Sequence, residues 1–233
     1  MIASEVMSQE NIRKLGLDIR PATRDDAAQI ASLHLRAADH QVRSFLPELG
    51  LRFLVRYYDI LISEPGSIVL CAFQGNHHLA GFVSGTLRAE DHFAILRSNK
   101  VRFLMSLGIA VCLRPHVLMG AWKRSRALSS QGRRNSFVVN SGCRIEYWAW
   151  DPTEQVQKGS VMLLKTYLAL MRDSGVPSVR LEIDAHDRRT KMIHLMLGAK
   201  EVDQFTTPDG NDRLILEYNF QNLPSADNQA SSL

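Results

Sequence analysis

The stretch Cys143–Leu164, CRIEYWAWDPTEQVQKGSVMLL, decides how the chain is read. Its first part, Arg144-Ile145-Glu146-Tyr147-Trp148-Ala149-Trp150, is rich in aromatics and suits a pleated surface. Asp151-Pro152 stops the run, because proline cannot donate to a ladder. Gln155-Val156-Gln157-Lys158-Gly159-Ser160 then predicts a short polar loop. After it, Val161, Leu164, Tyr167, Leu168 and Met171 recur at helical spacing. A strand that ends in a polar, Gly-containing loop opening a helix leaves several N–H groups without intrahelical partners. Those donors, at the positive end of the helix dipole, suit a phosphate group.

Working outward, the chain alternates strand and helix signals. Leu17–Arg20 predicts a strand stopped by Pro21, and Thr23-Arg24-Asp25-Asp26 is close to a capping box for a first helix. Pro47-Glu48 predicts the opening of a second helix running to about Ile62. Ser67–Phe73 and Leu79–Leu87, joined by a turn at Gly75–His78, predict a hairpin. Beyond the organising stretch come a strand at Val179–Asp184, a helix from Asp187 to about Leu197, and strands at Glu201–Phe205 and Leu214–Phe220. Residues 1–15 read as a flexible arm and 221–233 as a disordered tail.

The 233 residues, 45% apolar, are ample for one α/β domain over 16–220. Three cysteines without metal-ligand spacing point to a reducing compartment, and no metal set stands out. MIASEVMSQENIRK lacks the apolar segment of a secretory signal and no run approaches the length of a spanning helix, so the expectation is cytoplasmic. The net charge of +4 is unevenly placed. From His92 to Ile145 there is no Asp or Glu, while ten Lys and Arg residues fall there, Arg124 and Arg126 among them. The rest of the chain is therefore net acidic. Residues 92–142 predict a basic insert of two or three short helices and a loop, which attracts anions. Such an insert suits a lid over a phosphate-bearing molecule, peripheral contact with an anionic membrane through 99–127, or a solvated face. Aromatic interleaving is sparse, so nucleic acid is not expected.

The order of elements, with two local motifs, resembles the GNAT acyl-CoA N-acyltransferases. Gln155–Ser160 stands where that family has a Gln/Arg-x-x-Gly-x-Gly/Ala loop, with Lys158 and Ser160 in place of the two glycines. Asp187–Ala199 is similar to the family's Asn-x-x-Ala-x-x-Leu-Tyr-x-x-x-Gly-Phe segment, with Asp187 for the Asn and His194 for the Tyr. A looser likeness, through Phe45–Gly50 and Ala80–Gly85, is to bacterial members associated with surface glycans. The resemblance implies a mixed, mostly antiparallel sheet of about seven strands flanked by helices, with the insert between strands three and four.

It also implies acetyl-CoA as co-substrate and a small amine as acceptor, such as a nucleotide- or phosphate-linked amino sugar. The pantetheine arm would pair with the backbone at Trp148, Ala149 and Trp150. The diphosphate would lie on Gln155, Val156, Gln157, Lys158, Gly159 and Ser160, with Asp187 near. His194 takes the place of the acid that assists the departing thiolate; its alternative is a packing histidine. Glu146 is the candidate base, sharing a strand face with Arg144, Trp148 and Trp150; its alternative is a surface pair with Arg144. His40, Arg124 and Arg126 are candidates for the acceptor, and Asp39 and Glu182 are weaker ones. The assembly expected is a monomer or homodimer. The rival reading is a GNAT-like module that binds CoA or an anion without turnover and uses the insert for a partner.

Overall fold

Two apolar runs set the centre of the molecule. Ser67–Gln74 (β2) and His78–Thr86 (β3) are buried along nearly their whole length, as strands covered on both faces must be. In β2, Val69, Cys71 and Phe73 join one core cluster while Leu70 and Ala72 join the other. The computed structural model describes residues 14–38, 45–75, 77–99, 102–103, 141–154, 157–207 and 210–221. Within these, β1 (Leu17–Pro21), β2, β3, β4 (Cys143–Trp150), β5 (Ser178–Asp184), β6 (Lys200–Thr206) and β7 (Asp212–Asn219) form one sheet of order β1-β2-β3-β4-β5-β7-β6. Only β4 and β5 run parallel.

Helices α1 (Ala27–Ala38), α2 (Phe45–Glu48) and α3 (Leu51–Ser63) lie on one face. Helix α4 (Ala89–Ser98) follows β3, and α5 (Gln157–Asp173) and α6 (Arg188–Met196) cover the other face. Helix α1 starts where expected: the Thr23 N–H donates to the Asp26 carboxylate at 2.7 Å, and Arg20 grips both of its oxygens at 2.8 and 2.9 Å. The second helix does not run on from Pro47. Gly50 sits at φ 85° and divides α2 from α3, a conformation that glycine adopts without Cβ strain. Pro21 does not stop β1 but belongs to it, because β1 is the sheet edge and needs no donor on its outer side. The arm, the tail and most of the basic insert lie outside the described residues.

Helix α5 is the strongest anchor of the second core. Leu163, Leu164, Tyr167 and Met171 recur on its buried stripe and are wholly buried, and the burial of Leu163, Leu164 and Met171 stabilises by roughly 1.5–3 kcal/mol each.

Candidate active site

Strands β4 and β5 start side by side and then separate. They pair at Cys143↔Val179, Arg144↔Arg180 and Ile145↔Leu181, and the pairing ends there. On its other edge β4 stays with β3 as far as Gly81↔Trp150. Among the described residues no strand covers the β5-side edge of Trp148–Trp150, so a cleft opens there in the sheet. At the same level the β3–β4 register steps from Gly85↔Ile145 to Ser84↔Tyr147, a bulge at Glu146.

The bulge changes which way the strand faces. Cys143 and Ile145 pack with α5, and unbroken alternation would put Tyr147 and Ala149 there too. Instead Tyr147 and Ala149 pack with α1 and α3, while Trp148 and Trp150 pack toward α5. Glu146 therefore does not share a face with the two tryptophans. The extra residue shifts the phase by one, and the sequence expectation is corrected on that point.

The loop after β4 is pinned from several sides. The Asp151 N–H donates to Ala80 O at 2.7 Å, extending the β3–β4 ladder. Its carboxylate accepts from Thr153 N (3.0 Å), Thr153 Oγ1 (2.6 Å) and Arg36 Nη2 (2.5 Å), the last from the end of α1. Burial works against the Asp151 charge, but the Thr153 and Arg36 donors outweigh it and hold the carboxyl below its ordinary value. His78 meets Glu154 at 3.1 Å. Helix α5 then begins at Gln157, so Lys158, Gly159 and Ser160 form its first turn rather than a loop. Gln, Lys and Ser are tolerated in helices, and Gly159 is there for a packing reason. A Cβ at Gly159 would lie 2.5 Å from Trp150 Cη2, 2.7 Å from Cζ2 and 2.8 Å from Leu17 Cδ1. The other edge of the same indole lies against Gly81. Trp150 is thus wedged between β3 and the first turn of α5. The exposed Lys158 lies in this first turn, whose leading N–H groups have no intrahelical partners.

Glu146 is half-buried and held by Arg144, whose Nε and Nη2 donate to Oε1 at 2.9 and 2.5 Å. Arg144 is 4% exposed, so this is a buried pair and not the surface pair weighed above. Two histidine–tyrosine pairs flank β4 just past the bulge, one on each face. On the α1 side, the His34 ring stacks on Tyr147 at 3.7 Å and its Nδ1 meets Tyr58 Oη at 2.7 Å. On the other, His194 lies edge-on to Trp148 at 5.4 Å and its Nδ1 meets Tyr218 Oη at 2.6 Å. Burial pushes His34 down to about 3. It likewise pushes His194 down to about 4, against a smaller opposing effect from Asp187. Both imidazoles are neutral near pH 7. His194 is thus a buried neutral group, not one titrating near neutrality.

Of the expected site residues, Glu146, Trp148, Ala149 and Trp150 lie on β4 at and past the bulge, Lys158, Gly159 and Ser160 lie in the first turn of α5, Gly159 packs on Trp150, and His194 packs edge-on to Trp148. Gln157 opens α5. Asp187 caps α6, accepting from Thr190 N at 3.0 Å. Asp39, His40, Arg124, Arg126, Gln155 and Val156 lie outside the described residues. Three groups near β4 went unremarked in the sequence, His34, Arg36 and Tyr218, and Asp151 was read only as the end of the strand. Two carried a readable signal. His34 falls on the Ile30-Ala31-Ala37 stripe of α1, and Tyr218 alternates with Leu214 and Leu216 on β7, so both positions are buried and need polar partners. Among the described residues the indole N–H groups of Trp148 and Trp150 are buried without a hydrogen-bond partner. Among the described residues there is no cluster of three metal-ligating side chains, and no helix is long and apolar enough to cross a membrane.

No family model matches the sequence, and no curated protein matches it. Solved structures do. The chain is similar to the ribosomal-protein-S18-alanine N-acetyltransferase from Escherichia coli, with 15% identity, TM-score 0.50, and coverage of 89% of this chain and 98% of that one. It is similar to yncA from Salmonella typhimurium, solved with its cofactor acetyl-CoA (14% identity, TM-score 0.54, coverage 90% and 98%). It is similar also to the acetyltransferase of GNAT family from Streptococcus pneumoniae (13% identity, TM-score 0.54, coverage 87% and 98%). The fold of this chain is that of the GNAT acetyltransferases.

Proposed function

We propose that the protein is an acyl-CoA-dependent N-acyltransferase, using acetyl-CoA and moving its acyl group to the amine of a small acceptor. One observation carries the reading: β4 leaves β5 after Ile145, and the gap leads to the first turn of α5. An extended arm bearing amides can complete the open edge at Trp148–Trp150, and a diphosphate can meet Gln157–Ser160 with Lys158 beside it. Donors and cleft fit coenzyme A, which supplies the activated acyl carbon. The chain supplies the rest. Glu146, at the bulge, takes the proton of the incoming amine. The bulge turns a β4 peptide out of register, the kind of N–H donor that stabilises an oxyanion. His194 faces the departing sulfur.

The acceptor we favour is a nucleotide- or phosphate-linked amino sugar, which would place the protein with the surface-glycan branch of the family in a bacterial cytoplasm. The support is the run of basic residues from Arg97 to Arg144, including Arg124 and Arg126. The same run suits peripheral contact with an anionic membrane, and we expect a monomer or homodimer.

Calorimetry with coenzyme A and a thiol-release assay with acetyl-CoA across an amine panel test the proposal. Micromolar binding with turnover of an amino-sugar phosphate is expected. A chain with no affinity for coenzyme A would end it. The reading as a non-catalytic module is favoured by the Arg144 grip on Glu146 Oε1, and binding without turnover of any amine would select it.

A further inference from the structure

Tyr218 is almost wholly buried, and its hydroxyl must place its hydrogen somewhere. Among the described residues its only hydrogen-bond partner is His194 Nδ1, at 2.6 Å. If the imidazole donated through Nδ1–H, the phenol hydrogen would be left buried with no acceptor, which costs about 1–3 kcal/mol. With the phenol donating, the Tyr218 hydroxyl and Nδ1 are both satisfied and the imidazole hydrogen sits on Nε2.

The ring position gives that choice a direction. His194 lies between Tyr218 on β7 and Trp148 on β4, with β5 between those strands. The two ring nitrogens point to opposite sides of an imidazole. With Nδ1 held by Tyr218 on β7, Nε2 lies on the far side of a ring that packs edge-on to Trp148, the β4 residue past the point where β5 leaves. Among the described residues Nε2 has no hydrogen-bond partner.

We infer that Tyr218 is a positioning residue that fixes His194 as its Nε2–H tautomer, so that the neutral imidazole presents a hydrogen-bond donor to the sulfur leaving the acyl carbon. The inference rests on the acyltransferase reading. In the step, the C–N bond forms, the amine proton passes to Glu146, and the C–S bond breaks with its electron pair on sulfur. The thiolate leaves accepting the Nε2–H hydrogen bond, and no proton need cross from the imidazole. The imidazole, neutral near pH 7, suits a donor that does not titrate there.

The first test needs no turnover. Two-bond nitrogen–proton correlation spectra of ¹⁵N-histidine protein at neutral pH should show His194 protonated at Nε2 alone. Tyr218→Phe should move His194 to a tautomer mixture while the protein still melts cooperatively. With acetyl-CoA and an accepted amine, the same variant should lower kcat about tenfold, the loss of one well-placed hydrogen bond, and leave the Kd for coenzyme A unchanged. Wild-type His194 protonated at Nδ1, or an unchanged tautomer and kcat in Tyr218→Phe, would overturn the inference. Absence of coenzyme A affinity would instead remove the enzymatic reading, with the tautomer result standing on its own.

Discussion

Replacing Gly159 with alanine sets two effects of opposite sign against each other. In a helix, alanine is favoured over glycine by up to about 1 kcal/mol. Against that, the new methyl would sit 2.5 and 2.7 Å from Trp150 ring carbons and 2.8 Å from Leu17 Cδ1, well inside the ~3.5–4.0 Å separation of carbons in contact. The indole cannot retreat, because its other edge rests on the Gly81 backbone. Overpacking of this kind costs roughly 1–3 kcal/mol. The cost outweighs the gain over most of that range: we expect a net loss of up to about 2 kcal/mol, a fall in Tm of a few degrees for a domain of this size. Because the first turn of α5 must shift, coenzyme A affinity should drop as well. Urea denaturation and calorimetry measure the two. Adding Trp150→Leu to Gly159→Ala should recover stability, with a coupling of about 0.5–3 kcal/mol. A Gly159→Ala protein more stable than wild type by about 1 kcal/mol would refute the wedge.

The two buried imidazoles predict acid lability. Folded values of about 3 for His34 and about 4 for His194 lie below the ordinary 6.5, so the unfolded chain binds more protons in between. Their stabilising contribution is complete above pH 6.5 and is lost as pH falls toward those values, together roughly 4 kcal/mol by about pH 5. Denaturation at several pH values should show this slope, and a flat profile would contradict the burial. Arg36→Ala, removing a half-exposed guanidinium from the buried Asp151, should cost about 1–2 kcal/mol and weaken coenzyme A binding several-fold; unchanged affinity would separate this pair from the cleft. Glu146→Gln should destabilise by about 3–5 kcal/mol because the buried Arg144 cation loses its carboxylate, whereas Arg144→Met with Glu146→Leu should regain most of that. If the double variant regains stability and not turnover, Glu146 has a chemical role beyond the pair.

Most of the architecture was legible because its signals are local and redundant. The Thr23–Asp26 cap, the apolar hairpin strands and the α5 stripe each state one structure in their own residues. The β4 bulge was not legible. Tyr147, Trp148, Ala149 and Trp150 are apolar on both faces, so a phase shift at Glu146 leaves no polar mark in the pattern. The start of α5 was misplaced for a related reason: Gln157, Lys158 and Ser160 look like loop, and the reason for Gly159 lies in contacts with Trp150 and Leu17, which are close in space but not marked in the local sequence. The break at Gly50 hides likewise, since glycine within an apolar periodicity does not announce its φ. His194 was singled out through the family pattern and the Arg144–Glu146 pair through strand alternation, whereas the contacts of Tyr218 and Arg36 run between elements, which spacing alone does not reveal.

The wedge at the head of α5 also gives the molecule an intrinsic optical probe. Of three tryptophans, two stand on β4 beside the gap, with indole N–H groups buried and without a partner among the described residues. Indole emission responds to the polarity and charge around the ring. On the proposed reading, the emission of these two indoles reports from the place assigned to a phosphate-bearing ligand, and can follow its arrival in real time without any label.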